Sequence, residues 1–313
     1  MGSSPTFAIS FFMDEHRILA EIISGIAEPL FLLDDAFVLD DFVITKDLLV
    51  EDIHFFPFAE PYKLAKKALR VNLSDLAAMG AEPVGYFLGL VLGEKHKNST
   101  WLNRFADGLL DDQRCYGIKL FGGDTVIHSG PLLISVTMIG KKAERVLTRS
   151  GAEIGDELCV SGPIGDSHLG LLSYQGELQE NSYFRSKYDL PEPCLDVSRD
   201  IISSVTSCID ISDGLLSEAQ HLAKNSTVSI TIFFDKVPVS DAADVILFEK
   251  PEIRKKLLTA GDDYQLLFTV PKEHPVTRKY PVIGFVSEGM GEVRVLDSFG
   301  REIYFDNSGF VHR

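Results

Sequence analysis

The chain has 313 residues, 45% hydrophobic and 24% charged, with 25 glycines and a formal net charge of −16 at pH 7. That length accommodates two ordinary domains or one large one, and the balance describes a soluble globular α/β or α+β protein without long disorder. The acidity excludes a nucleic-acid partner, because no basic run offsets repulsion by the phosphate backbone; solubility, or the gathering of divalent cations, remains as its meaning.

In chain order, residues 15–27 have helical periodicity, with Ile18, Leu19, Ile22, Ile23 and Ile26 on one side. Two short strands, 36–39 and 42–45, flank Asp40-Asp41. A helix is expected over 61–79, stopped by Gly80-Ala81-Glu82-Pro83. A strand over 84–92, a helix over 100–116, a strand end at 119–121 and a strand over 132–141 follow. The pattern restarts at the turn 150–156 and the β-rich run 157–161. A boundary near residue 145 therefore divides the chain into domains 1–145 and 146–313. The apolar patches 7–13 and 84–93 are too short to span a membrane, and no basic segment precedes the first. Cys115, Cys159, Cys194 and Cys208 are widely spaced, without CxxC, as buried thiols of a reducing cytosol would be. A cytoplasmic protein is expected.

The acids carry the chemistry. Asp34-Asp35 precede a strand and Asp47 ends one. Asp75 sits inside the apolar helix stretch Asn72–Gly80, and Asp124 follows two glycines in FGGDT. In CIDISDGLLSE, Asp210 and Asp213 lie three apart at the mouth of an amphipathic helix. Each alone fits a helix cap, a solvated turn or a cation site. As a set they border apolar strands or lie within apolar helices, where an unpartnered carboxylate is costly. A hard divalent cation with phosphates in its shell is the natural compensation. The turn expected at Gly122-Gly123-Asp124 would let backbone approach a phosphate. No Walker A motif and no HRD/DFG set is present.

The ordered series LLDDA, ITKDLLVEDIHF, NLSDLAAMGAEP, FGGDT, VLTRSGAEIGD, VSGPIGDSHLGL, DISDGL and AGDDYQLLFTV resembles the thiamine-monophosphate kinase family. That family lies in the aminoimidazole-ribonucleotide-synthetase-like superfamily of ATP-dependent enzymes. The likeness runs from about residue 30 to about 270, with a short further match at Gly309-Phe310. It implies two α/β domains, a homodimer whose N-terminal sheets join into a barrel, and several Mg²⁺ ions. It implies transfer of the ATP γ-phosphoryl group onto thiamine monophosphate, with no protein nucleophile. A sister enzyme of the superfamily or a non-enzymatic ATP-binding relic would be the alternatives.

Carried over by resemblance, Asp34, Thr45, Asp47, Asp75, Asp124, Asp210 and Asp213 are metal positions. Gly123, Asp124, Arg149 and Ser212 are ATP positions, and His54, Asp262 and Phe310 are substrate positions. The sequence departs from the family at four places: Leu33 and Ala260 where glycine is usual, Lys46 where a hydroxyl is usual, and Asp262 where glutamate is usual. Lys46 either reaches solvent or places its ammonium among Asp34, Asp47 and the phosphates, in place of one Mg²⁺.

Overall fold

The computed structural model describes residues 34–306 and Gly309. The helix expected over 15–27, Leu33 and Phe310 lie outside the described residues. The first half contains β1 (Phe37–Leu39), β2 (Phe42–Val50), α1 (Pro61–Ala78), β3 (Glu82–Leu92), α2 (Ser99–Tyr116), β4 (Lys119–Ile127) and β5 (Leu133–Lys141). Its sheet runs β1-β2-β5-β3-β4, antiparallel except for the parallel pair β3/β4.

Alternation fixes the two faces of this sheet. Val43, Thr45 and Leu49 of β2 are buried, as are Ile134, Val136 and Met138 of β5. Helix α1 covers this inner face. Glu60 caps it by accepting from Lys63 N at 3.1 Å, and Pro61 stands at its first turn, where no N–H is needed. Leu64, Leu69, Leu73 and Leu76 are all buried. Burying each contributes about 1.5–3 kcal/mol relative to exposure. The outer face is different: Phe42, Leu48 and Phe87 are about half exposed.

Two strands outrun their sequence signals. β2 continues to Val50, so Asp47 lies within a strand rather than at its end. β4 continues through Ile127, so Gly122-Gly123-Asp124 is strand and not a turn. The glycines suggested a break, but a Cβ on Gly123 would meet the Leu88 carbonyl at 1.9 Å. Glycine is there because β3 approaches closely.

The second half contains β6 (Glu157–Val160), α3 (Asp166–Gln175), α4 (Ser182–Asp189), α5 (Leu195–Ile201), β7 (Ser207–Asp210), α6 (Leu215–Ser226), β8 (Ser229–Phe233), α7 (Asp241–Glu249), α8 (Ile253–Leu257), β9 (Leu266–Val270), β10 (Val282–Ser287) and β11 (Val293–Leu296). Its sheet runs β11-β8-β10-β6-β9-β7. One apolar cluster fills this half, while α1 shares the other with Cys208 and Phe268 of the second sheet. Helix α1 is therefore wedged between the sheets, buried nearly all round. Among the described residues no helix is long and apolar enough to cross a membrane.

Candidate active site

Three carboxylates converge where α1 meets β7. Asp35, Asp75 and Asp210 each place an oxygen within 4.8 Å of the other two. Asp75 projects from α1 and accepts a hydrogen bond from the Thr45 hydroxyl on β2. Asp210, at the end of β7, accepts from Ser74 Oγ at 2.6 Å. Asp35 pairs with Arg149, whose Nη2 lies 2.5 Å from Oδ1. The other oxygen of Asp35 is buried and has no hydrogen-bond partner among the described residues.

The electrostatics follow from crowding. Burial, then the charges of Asp47, Asp210 and Asp35, push the Asp75 carboxyl well above the usual range. Burial and the Asp35 charge push Asp210 up to about 8 despite its Ser74 hydrogen bond. Burial raises Asp47 to about 6, and it raises Asp35 against the pull of Arg149. Like-charged carboxylates crowded together away from water keep protons that they would otherwise lose. Oxygen-only donors with one orphaned oxygen suit a hard divalent cation such as Mg²⁺.

The loops that carry the motifs DISDGL and AGDDY are interlocked. Asp262 N donates to Ser212 O, and Tyr264 N to Ile211 O, both at 2.8 Å. A Cβ on Gly261 would meet Ser212 O at 2.2 Å, so glycine is required there. Asp213 N donates to Glu218 at 3.1 Å at the start of α6. Asp210, Ser212, Asp213 and Asp262 thus share one corner.

Among the residues expected to meet the acceptor, Asp262 adopts a left-handed backbone (φ 69°). Its carboxylate accepts from Lys67 Nζ and from Tyr264 Oη, both at 3.0 Å. His54 accepts from Val50 N through Nδ1 at 3.0 Å, and its carbonyl accepts from Tyr188 Oη at 3.2 Å. Lys67 bridges the two by sitting 4.1 Å from the centre of the Tyr188 ring.

Three of the expected residues stand apart from this cluster. Asp34 does not join the carboxylates; its Oδ1 accepts from Arg149 N at 2.8 Å, and Asp35 turns inward instead. Asp124 does not join them either. It pairs in register with Gly89, and Gly89 with Ser135, on the outer face, whereas Asp47 pairs with buried Val136 on the inner one. Its Oδ1 accepts from Thr125 N at 2.8 Å. Lys46 also points outward, donating to Ser135 Oγ at 2.6 Å, away from the Asp34 and Asp47 side chains. Gly123 lies in the row of Asp47, through Leu88 and Val136.

The comparisons with known proteins meet this geometry. Residues 33–141 match the model of the AIR synthase related protein N-terminal domain, and residues 153–295 that of the C-terminal domain. The thiamine-monophosphate kinase of Caulobacter vibrioides is 37% identical, over 95% of this chain and 89% of that protein. The chain belongs to the thiamine-monophosphate kinase family of AIR synthase related proteins. The Escherichia coli K12 member is 39% identical, over 73% of this chain and 71% of its own. The solved structure of AaThiL complexed with AMPPCP and TMP superposes with a TM-score of 0.86 at 31% identity. That match covers 97% of this chain and all of the other.

Within this kinase family member, sequence reading missed Asp35, Glu218 and Lys67. Glu218 is buried, and burial followed by the Asp213 charge pushes its carboxyl well above the usual range. Its signal was legible as an acid in the first turn of the DISDGLLSE helix. Lys67 left a fainter one, a lysine between Leu64 and Ala68 on a helix otherwise buried all round.

Proposed function

We propose that this protein transfers the γ-phosphoryl group of ATP to the phosphate of thiamine monophosphate, giving thiamine diphosphate. The observation that carries this reading is the convergence of Asp35, Asp75 and Asp210 from three separate elements, with one buried oxygen of Asp35 left without a hydrogen-bond partner among the described residues. Donor and acceptor are both phosphates, so charge neutralisation is the main catalytic demand.

Asp35, Asp75 and Asp210, with Asp47, Thr45 and Asp213 around them, would hold Mg²⁺. The ions, when bound, supply positive charge that cancels repulsion between the two phosphates. Arg149 presents a planar guanidinium beside Asp35 and serves the ATP phosphates with Ser212 and Gly123. Lys67 neutralises Asp262 and fixes its direction, while His54, Asp262 and Phe310 form the thiamine side. Transfer is direct and in line, because no side chain at the cleft is an activated nucleophile. Burial pushes the Cys208 thiol well above its ordinary range, and the Ser74 hydroxyl is committed to Asp210.

The working unit is a homodimer closed by the outer face of the first sheet, where Phe42, Leu48 and Phe87 form an apolar surface. Residues 1–145 supply nucleotide, metal and dimer positions, and 146–313, the second α/β domain, completes the site with Arg149, Asp210, Ser212 and Asp213. Four free cysteines support a cytoplasmic location.

The test is a coupled assay with purified protein, MgATP and thiamine monophosphate. Formation of thiamine diphosphate and ADP is expected, with no label retained on the protein from γ-labelled ATP when acceptor is omitted. A trapped phosphoenzyme would overturn direct transfer, and absence of product would overturn the assignment.

A further inference from the structure

Glu218 stands one turn into α6 and is 2% exposed, a costly place for a carboxylate unless its oxygens are engaged. Its Oε1 accepts from the backbone N–H of Asp213 at 3.1 Å. The cap position of the helix is Gly214, at φ 134°, and glycine supplies no side-chain cap. Glu218 therefore reaches back from inside the helix to the chain that enters it, as the glutamate of a capping box does.

The entering loop is pressed from several directions. A Cβ on Gly214 would lie 2.9 Å from the Thr259 carbonyl carbon. One on Gly309 would lie 2.7 Å from Ser217 Cβ and 3.1 Å from the Asp213 carbonyl oxygen. Leu216 N donates to Leu258 O at 3.1 Å. Those contacts hold the flanks of the loop, whereas the Glu218 bond holds the residue that carries the acid.

The far end of α6 serves the nucleotide side too. Ser226 Oγ donates to the Arg149 carbonyl at 3.5 Å and accepts from Ala152 N at 3.1 Å. One helix thus joins the turn that carries Arg149 to the loop that carries Ser212 and Asp213. The guanidinium itself is held by Asp35 at 2.5 Å, so the charge of Glu218 is not needed to orient it.

We propose that Glu218 is a positioning residue of the nucleotide side. By holding the Asp213 backbone it aims that carboxylate at the cation on the ATP phosphates, and it touches neither cation nor nucleotide. The proposal rests on the reading of MgATP as phosphoryl donor. What the position requires is a hydrogen-bond acceptor at the reach of a glutamate; the negative charge is dispensable.

The experiment titrates Mg²⁺ and a non-hydrolysable ATP analogue calorimetrically into wild type, Glu218→Gln, Glu218→Asp and Glu218→Ala, with initial rates and thermal melts on the same preparations. Glutamine keeps an acceptor oxygen at the same reach, and aspartate keeps the charge but falls one methylene short. The Asp and Ala variants are expected to bind the analogue about tenfold more weakly and to raise half-saturating Mg²⁺ by a similar factor, the size of one lost hydrogen bond to a charged group. The KM for thiamine monophosphate moves less than about twofold, and Glu218→Gln stays within about threefold of wild type throughout, because the interaction lost is specific to the donor. The Gln and Asp variants decide the matter even where Glu218→Ala fails to fold. Wild-type analogue affinity and Mg²⁺ dependence in the Asp variant would overturn the proposal, and a lower melting temperature with that unchanged binding would leave Glu218 a helix cap only. A Gln variant weaker than the Asp variant would overturn it as well, by showing that charge and not reach is what counts. No binding of the analogue by folded wild type would overturn the donor assignment and the positioning role with it.

Discussion

Ser74, on α1, donates a 2.6 Å hydrogen bond to Asp210 at the end of β7. The acid of one sheet is thereby held by the helix that packs on the other. Both groups are buried, so the bond fixes the rotamer of Asp210 and the distance between the halves of the carboxylate cluster. Ser198 makes a second tie from α5, donating to the Ala77 carbonyl at 2.6 Å.

Removing the first tie should be felt in metal use before it is felt in the fold. Ser74→Ala leaves a buried carboxylate without its donor, at a cost of about 1–3 kcal/mol. Turnover is expected to fall roughly tenfold, which is about 1.4 kcal/mol of transition-state stabilisation, with half-saturating Mg²⁺ shifted upward. Initial rates across a Mg²⁺ series decide it; a curve identical to wild type would deny Asp210 a part in cation binding.

Stability without metal should depend on pH in an unusual direction. Folding raises Asp210 from an ordinary 3.8 to about 8 and Asp47 to about 6. The native state therefore binds more protons than the unfolded chain between those values, and stability falls as pH rises from about 4 to about 8. In EDTA the melting temperature is expected to decline from pH 5 to pH 8, and Mg²⁺ to raise it most at pH 8, where the cation replaces the missing protons. A melting temperature in EDTA that climbs over this range would contradict the crowded cluster.

The same crowding separates stability from activity. Asp210→Asn removes one of several like charges while keeping an oxygen for Ser74. In EDTA at pH 8 the variant is expected to melt higher than wild type, yet to lose turnover by about a hundredfold or more, as charge leaves the cation site. Thermal melts and steady-state rates on one preparation test both halves. Wild-type turnover would remove Asp210 from the site.

Lys46 should be silent toward the cations proposed for the inner face. Its ammonium is held by Ser135 on the opposite side of the sheet from Asp47. Lys46→Thr is expected to give a Mg²⁺ dependence of turnover superimposable on wild type within a factor of about two, since a one-residue step along a strand sends the side chain to the other face. A steeper dependence would restore the ammonium as a substitute for an ion.

Assembly should depend on that outer face. Leu48→Glu and Phe87→Glu place charges in an apolar surface, and each is expected to convert the proposed dimer to a monomer with secondary structure retained. Analytical ultracentrifugation with circular dichroism reads both. Dimers in both variants would move the interface elsewhere.

The sequence by itself determined which residues could do chemistry. The helical period across 61–79 and the apolar run at 84–92 located α1 and β3 within two residues, because burial of one face or both imposes those patterns locally. The acids were equally legible, since an aspartate flanked by leucines and alanines in a buried helix implies a partner. Only the tertiary structure decided which acids meet. Adjacent residues such as Asp34 and Asp35 leave the backbone in different directions, and Arg149, 114 residues beyond Asp35, holds both: its backbone N–H takes Asp34 while its guanidinium meets Asp35 within the cluster. Lys46 and Asp47, or Gly123 and Asp124, alternate across a sheet whose inner face is defined by α1 and by nothing within either strand. One aromatic cluster is the extreme case. Its rings come from positions 56, 58, 174 and 188, with no shared period, and they meet because α3 and α4 pack against the chain that leads into α1.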